Sequence, residues 1–180
     1  MNQPTPEPVL LGLLAVQPCH GYQLLEVFHD PDELGRVWNM STSQLYAVLK
    51  RLEQQEFITG VPVQVPDAPT RTEYHLTEAG RDALDLWLHD SRPSASVRRV
   101  RIEFLSRLYI ARLLNIPTIP IVRAQKAACE HQLKMLQVQE EQALPGVGYL
   151  ALEFMIAQLH AVLQWIDRCE VVPLVRPEEE

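Results

Sequence analysis

The chain has 180 residues, 47% hydrophobic and 22% charged, with a formal net charge of −7; that length holds one core, or a small domain plus an oligomerisation element, in a composition ordinary for a soluble globular protein. The three cysteines, Cys19, Cys129 and Cys169, are odd in number and far apart, which excludes a disulfide framework and metal-ligand spacing and fits a reducing cytosol. The acidic balance weighs against nucleic acid as a partner, no basic region precedes Val9 as a signal peptide requires, and the apolar run Val9 to Val16 is too short to span a membrane.

Residues 1–6 read as a polar, Pro-rich tail. A first helix is expected from Glu7-Pro8, with proline in its first turn, to Gln17-Pro18. Its V-L-L-G-L-L-A-V is apolar almost all round, so it needs burial on several sides. His20-Gly21-Tyr22 opens a second helix that packs through Leu24, Leu25, Val27 and Phe28 and stops at Asp30-Pro31. The connector Pro31 to Met40 carries a short strand signal at Val37 to Met40.

The third helix, Ser41 to Glu56, has two different faces. Leu45, Val48, Leu49 and Leu52 fall at i, i+3, i+4, i+7 and form an apolar stripe. Ser43, Tyr46, Ala47 and Lys50 repeat that spacing nearly opposite. Ser41 caps the first turn, with Gln44 in the capping-box position. Taken alone, such a helix is most often an ordinary surface helix. A small, hydroxyl-bearing and basic face is also what a helix entering a DNA major groove needs.

Two strand signals follow. Phe57 to Val65 places Val61, Val63 and Val65 at period two, and Pro62 with Pro66 confines it to a sheet edge. Asp67-Ala68-Pro69-Thr70 is turn chemistry, and Arg71 to Leu76 alternates again with Thr72, Tyr74 and Leu76 inward. Thr77 then caps a fourth helix packed through Leu84, Trp87 and Leu88. Helix, helix, helix, hairpin, helix is the order of a winged helix-turn-helix.

Three blocks sharpen that reading: H-G-Y-Q-L at 20–24, S-T-S-Q-L-Y-A-V-L-K-R-L-E at 41–53 and Y-H-L-T-E-A-G-R at 74–81. In order and separation they closely resemble the PadR family of bacterial transcription regulators. That family's pattern is H-G-Y-E-L, a Tyr-containing L-Y-x-x-L-x-R-L-E helix, and Y-x-L-T-x-x-G. The resemblance covers the first half residue by residue and the second half in layout. There are two departures. Glu56 stands where the family usually has a glycine, a left-handed helix cap, and the wing tip D-A-P-T lacks the family's usual arginines and lysines, with only Arg71 close behind.

After the linker Asp90 to Ser96, three long helices are signalled. Val97 to Asn115 lines up Val100, Phe104, Leu108 and Ala111. Pro120 to Ala143 turns Ile121, Ala124, Ala128, Leu133 and Leu136 inward. Tyr149 to Cys169 carries Leu152, Met155, Leu159, Val162 and Ile166 on one stripe and Phe154, Ile156, Leu163 and Trp165 on a second. So wide an apolar arc predicts a dimer interface, with the first stripe at its centre.

Catalysis has little support. G-x-S-x-G, P-loop and G-x-G-x-x-G motifs are absent. Glu26-x-x-His29 has the spacing of a metal half-site but no second copy, so it reads as surface residues, and no metal or cofactor is expected. Cys19-His20 is explained by packing and helix entry better than by a thiolate–imidazole pair. Trp38, Trp87 and Trp165 read as core residues. A flat aromatic ligand stacked on Trp165 at the dimer seam is a second reading, raised because regulators of the resembling family often sense small molecules.

The expected fold is mainly α with a small β-wing: a winged helix-turn-helix domain at 1–90, a linker at 91–97, a three-helix dimerisation domain at 98–170 and a tail at 171–180. The resemblance implies a cytoplasmic regulator that binds double-stranded DNA as a homodimer at a pseudo-palindromic promoter site and represses by occlusion. Ser41, Thr42, Ser43, Tyr46 and Lys50 would read sequence, while Tyr22 and Arg71 would touch the sugar-phosphate backbone. The rival is a winged helix that binds protein, for which the motive is charge. Residues 1–90 hold 5 basic and 13 acidic residues, a net −8, against +1 in residues 91–180. The arginines at 92, 98, 99, 101, 107 and 112 read as a solvated helix face or as partners for carboxylates across the dimer, ahead of phosphate contact by the first few of them.

Overall fold

The computed structural model describes residues 4–64 and 70–169. It divides into two compact units, Met1–His89 with Leu105–Ile116, and Asp90–Phe104 with Pro117–Glu180. Packing thus assigns Leu105–Ile116 to the first unit, whereas hydropathy alone starts the second domain at 98.

In the first unit α1 (Glu7–Val16) buries every residue from Val9 to Leu14, as an apolar surface on all sides requires. It packs on α4 (Glu78–Leu88), on α6 (Leu105–Leu113) and on the sheet. β1 (Cys19–His20) leads directly into α2 (Gly21–His29), and α3 (Thr42–Gln54) follows after the connector. The capping box forms at α3: Ser41 Oγ accepts from the Gln44 amide at 3.3 Å, and Gln44 Oε1 accepts from the Ser41 amide at 2.9 Å. Leu45, Val48, Leu49 and Leu52 are all buried. At about 25 cal/mol per Å² of apolar surface, each such leucine contributes about 2 kcal/mol.

β2 (Ile58–Val63) and β3 (Arg71–Leu76) form the hairpin, and the sheet order is β1-β3-β2, all antiparallel. Tyr74 is buried and Leu76 partly so, while Thr72 is exposed at the outer end of β3. In β2 it is Ile58 that is buried; Val61 faces solvent. Val65 and Asp67 to Pro69 of the expected turn lie outside the described residues, as does the tail at 171–180.

Val37 to Met40 is not a strand. The amides of Val37 and Trp38 both donate to the Leu34 carbonyl, at 2.9 Å each, so this backbone closes on itself as a turn. The third strand is instead Cys19–His20, paired Cys19 with Tyr74 and His20 with Glu73. Two residues are too few for alternation to register. Trp38 itself packs edge-on against Phe28 and donates its indole N–H to Ser106 Oγ at 2.9 Å.

The joint between α3, the wing and α4 explains the L-T-x-x-G block. The Thr77 hydroxyl donates to the Glu56 carbonyl at 2.7 Å and accepts from the Gly80 amide at 3.1 Å. The Thr77 amide donates to the Phe57 carbonyl at 3.1 Å. A Cβ on Gly80 would lie 2.1 Å from that same carbonyl oxygen, so only glycine fits. Helix, helix, helix, hairpin, helix around this sheet is a winged helix-turn-helix.

In the second unit α5 (Val97–Arg99) runs into a π-helical turn, Val100–Phe104. Val100, Ile102 and Phe104 of that turn are buried. α7 (Ile119–Glu141) and α8 (Val147–Cys169) pack on each other. The buried line of α7 includes Gln125 and Cys129, where Ala124, Ala128 and Leu133 were expected. Gln125 can be buried because its side-chain amide donates to the Ser94 carbonyl at 2.9 Å and to Cys129 Sγ at 3.5 Å. By length and composition α8 could cross a membrane, but it carries Glu153, Asp167 and Arg168, and Asp167 is paired with Lys126 at 2.5 Å.

Glu56 takes the left-handed conformation, φ 59°, that the glycine of the resembling family would occupy. A side chain there costs about 1 kcal/mol. Glu56→Gly is expected to stabilise the fold by about 1 kcal/mol. Urea unfolding checks this; an unchanged or lower midpoint overturns it.

Candidate nucleic-acid interface

Three segments distant in sequence meet at one groove of the first unit. Its lining is His20, Gly21 and Tyr22 from the start of α2, Tyr46 from α3, and Thr70, Arg71, Thr72 and Tyr74 from the wing, around about 640 Å³. His20 sets the geometry. Its ring Nδ1 meets the Thr72 carbonyl at 3.0 Å, and its backbone N–H donates to Gln23 Oε1 at 2.9 Å. The ring therefore ties the α2 entry to β3 while Gln23 closes the first turn. Burial, then the charge of Glu73, pushes the neighbouring Cys19 thiol up to about 11.

Gly21 has a packing role. A Cβ there would stand 3.0 Å from the Tyr46 ring, so the glycine lets the ring lie on the helix backbone. Tyr46 is half-exposed with one side on Gly21. Tyr74 lies beneath, and burial, then the charge of Glu53, then Tyr46 push its phenol above the usual tyrosine range. Tyr22 is exposed on the rim and donates its hydroxyl to Glu26. That hydrogen bond, then the Glu26 charge, raises its phenol above the ordinary value, against an opposing contribution from Arg71.

Tyr22, Tyr46 and Arg71 are thus brought together at the groove. Ser41, Thr42, Ser43 and Lys50 are exposed along α3. The Ser41 hydroxyl is the helix cap and also meets Ser43 Oγ at 3.1 Å. Of the two cations of α3, Arg51 is paired with Glu7 at 2.6 Å, whereas Lys50 has no ion-pair partner among the described residues. His20, Gly21 and Tyr74 were missed as site residues. The H-G-Y block signalled the first two, but their contacts with Thr72 and Tyr46 join segments 25 or more positions apart.

The dimer candidates divide. Leu159 and Ile166 are buried within the chain, Leu152 and Val162 are partly buried, and Met155 is exposed. The exposed apolar residues of α8 include Val147, Leu150 and Phe154, the last 63% exposed, with Met135 and Val138 on α7. Trp165 packs edge-on against Phe104, centroids 5.8 Å apart. Among the described residues no three His, Cys, Asp or Glu side chains cluster to hold a metal. The groove offers hydroxyl and guanidinium donors on a concave wall, which suits an anionic backbone.

Residues 10–86 match the transcriptional regulator PadR-like family, and residues 100–172 match the family described as virulence activator alpha C-term. The chain is 31% identical over 106 residues to the negative transcriptional regulator PadR of Bacillus subtilis; the match spans 59% of this chain and 56% of that relative, little more than half its length. Among solved structures, Bacillus subtilis PadR in complex with operator DNA is 24% identical, covering 93% of this chain and 97% of that one, TM-score 0.48. The same protein in complex with p-coumaric acid is also 24% identical, covering 94% and 96%, TM-score 0.43.

Proposed function

From the match of residues 10–86 to the PadR-like family of transcriptional regulators, we propose that the chain is a regulator of that family, binds double-stranded DNA as a homodimer and represses the promoter it occupies. One observation carries the reading: Tyr22, Tyr46 and Arg71 line one groove beside the exposed face of α3. In this reading α3 enters the major groove with Thr42, Ser43, Tyr46 and Lys50 toward the bases and phosphates, and Ser41 at its tip. Tyr22 and Arg71 take the sugar-phosphate backbone. The description of the Bacillus subtilis relative as a negative regulator supports repression.

The acidity of residues 1–90 favours the rival reading, a protein-binding winged helix. Several of those acids serve local structure. Asp30 Oδ1 accepts from the Asp32 amide at 2.8 Å, Asp85 faces His89 at 3.0 Å, and Glu7 neutralises Arg51. None of the three lines the groove.

The dimer would use residues 98–170. The exposed apolar residues of α8 support this, with Phe154 and Met155 central and Leu152 and Val162 at the edge of the inner packing. A planar aromatic effector would enter the seam beside Trp165.

Three measurements test the reading. Fragments from the protein's own promoter region are titrated at low and moderate salt. Lys50→Ala should weaken all sequences alike and lower the log–log salt slope by about 1 per half-site. Tyr46→Phe should lose affinity with stability changed by about 0.5 kcal/mol or less. If wild type binds no fragment, or neither substitution matters, the protein-binding reading moves ahead. Light scattering should give a dimer at micromolar concentration, and Phe154→Glu should shift it toward monomer; a stable wild-type monomer refutes the dimer. Phenolic compounds should change Trp165 fluorescence and DNA affinity together, and a screen that moves neither retires the effector.

A further inference from the structure

Tyr22 is the second residue of α2 and stands on the groove rim, 62% exposed. Glu26 follows one helical turn later, also exposed, and accepts a hydrogen bond from the Tyr22 hydroxyl. A phenol has a single proton to donate. While Glu26 holds it, Tyr22 presents only oxygen lone pairs to an approaching phosphate oxygen, which is the wrong polarity for a hydrogen bond. The Glu26 carboxylate adds a like charge beside the same approach. Arg71, the groove's cation, acts electrostatically on Tyr22 in the opposite sense. Resting on the DNA-binding reading above, we propose that Glu26 is an affinity-limiting residue, a carboxylate that sequesters the Tyr22 hydroxyl and repels the phosphodiester backbone.

DNA engagement then requires the hydroxyl to leave Glu26 for the phosphate. A hydrogen bond to a carboxylate is roughly twice as strong as one to a neutral acceptor, so Glu26→Gln removes the like charge and weakens the competing hydrogen bond while keeping side-chain shape. The residue sets how tightly any site is held and leaves base readout by α3 untouched. It also gives part of the first unit's acidity a function at the DNA face.

The test is fluorescence anisotropy on promoter fragments at two salt concentrations with five proteins: wild type, Glu26→Gln, Asp82→Asn, Tyr22→Phe, and Glu26→Gln combined with Tyr22→Phe, the last read against Tyr22→Phe alone. Asp82 is exposed on α4 and outside the groove, so its substitution makes the same change in net charge. Glu26→Gln is expected to bind roughly threefold to tenfold tighter, most at low salt. Asp82→Asn should gain less than half as much, and the Glu26→Gln gain should shrink by half or more in the Tyr22→Phe background. Affinity equal to or below wild type for Glu26→Gln, an equal gain from Asp82→Asn, or an undiminished gain without the Tyr22 hydroxyl overturns the proposal while leaving DNA binding in place. If neither wild type nor Glu26→Gln binds, the DNA reading fails and this proposal with it.

Discussion

The fold depends on the joint at which α3 ends and α4 begins. The Phe57 carbonyl accepts the Thr77 amide, the Glu56 carbonyl accepts the Thr77 hydroxyl, and Gly80 leaves room for the Phe57 backbone. The Phe57 amide in turn donates to the Leu52 carbonyl at 3.0 Å. One threonine and one absent methyl therefore fix three directions: the exit of α3, the start of β2 and the axis of α4. The wing is carried on that joint, so the distance from Arg71 to α3 is set there. The left-handed Glu56 is the strained element that makes the turn.

On this frame the groove is assembled from parts that are weak separately. His20 pins α2 to β3, Gly21 admits the Tyr46 ring, and Tyr74 lines the same groove from the sheet. Each contact restricts a side chain before any ligand arrives, so less ordering entropy is lost on binding. The first unit's net negative charge is compatible with such a site because screening confines electrostatics to about a Debye length, ~8 Å at physiological salt.

The second unit solves a different problem. α7 and α8 cover Leu159 and Ile166 between them, yet leave Leu150, Phe154 and Met155 bare. An apolar surface of that kind on paired helices is costly in water, which supports the proposed dimer.

Local pattern determined much of this protein. The leucine stripe of α3 and its opposite face followed from period alone, because side-chain direction along a helix is fixed by backbone geometry. The capping box of Ser41 and Gln44 and the boundaries at Pro18 and Pro31 followed from chemistry within four residues. The three blocks that mark the family were legible for the same reason. Only tertiary structure decided that Cys19–His20 is a strand, since its partners lie more than fifty positions away and it has no alternation of its own. Only packing decided that Gln125 is buried and that Leu159 and Ile166 face inward while Phe154 faces out. A wide apolar arc specifies that a helix is covered, and it takes a neighbour in space to specify on which side. The groove belongs to that second class. Tyr22, Tyr46 and Arg71 were each visible as candidates, but their meeting depends on His20 reaching Thr72 and Gly21 receiving Tyr46, contacts that no local period encodes.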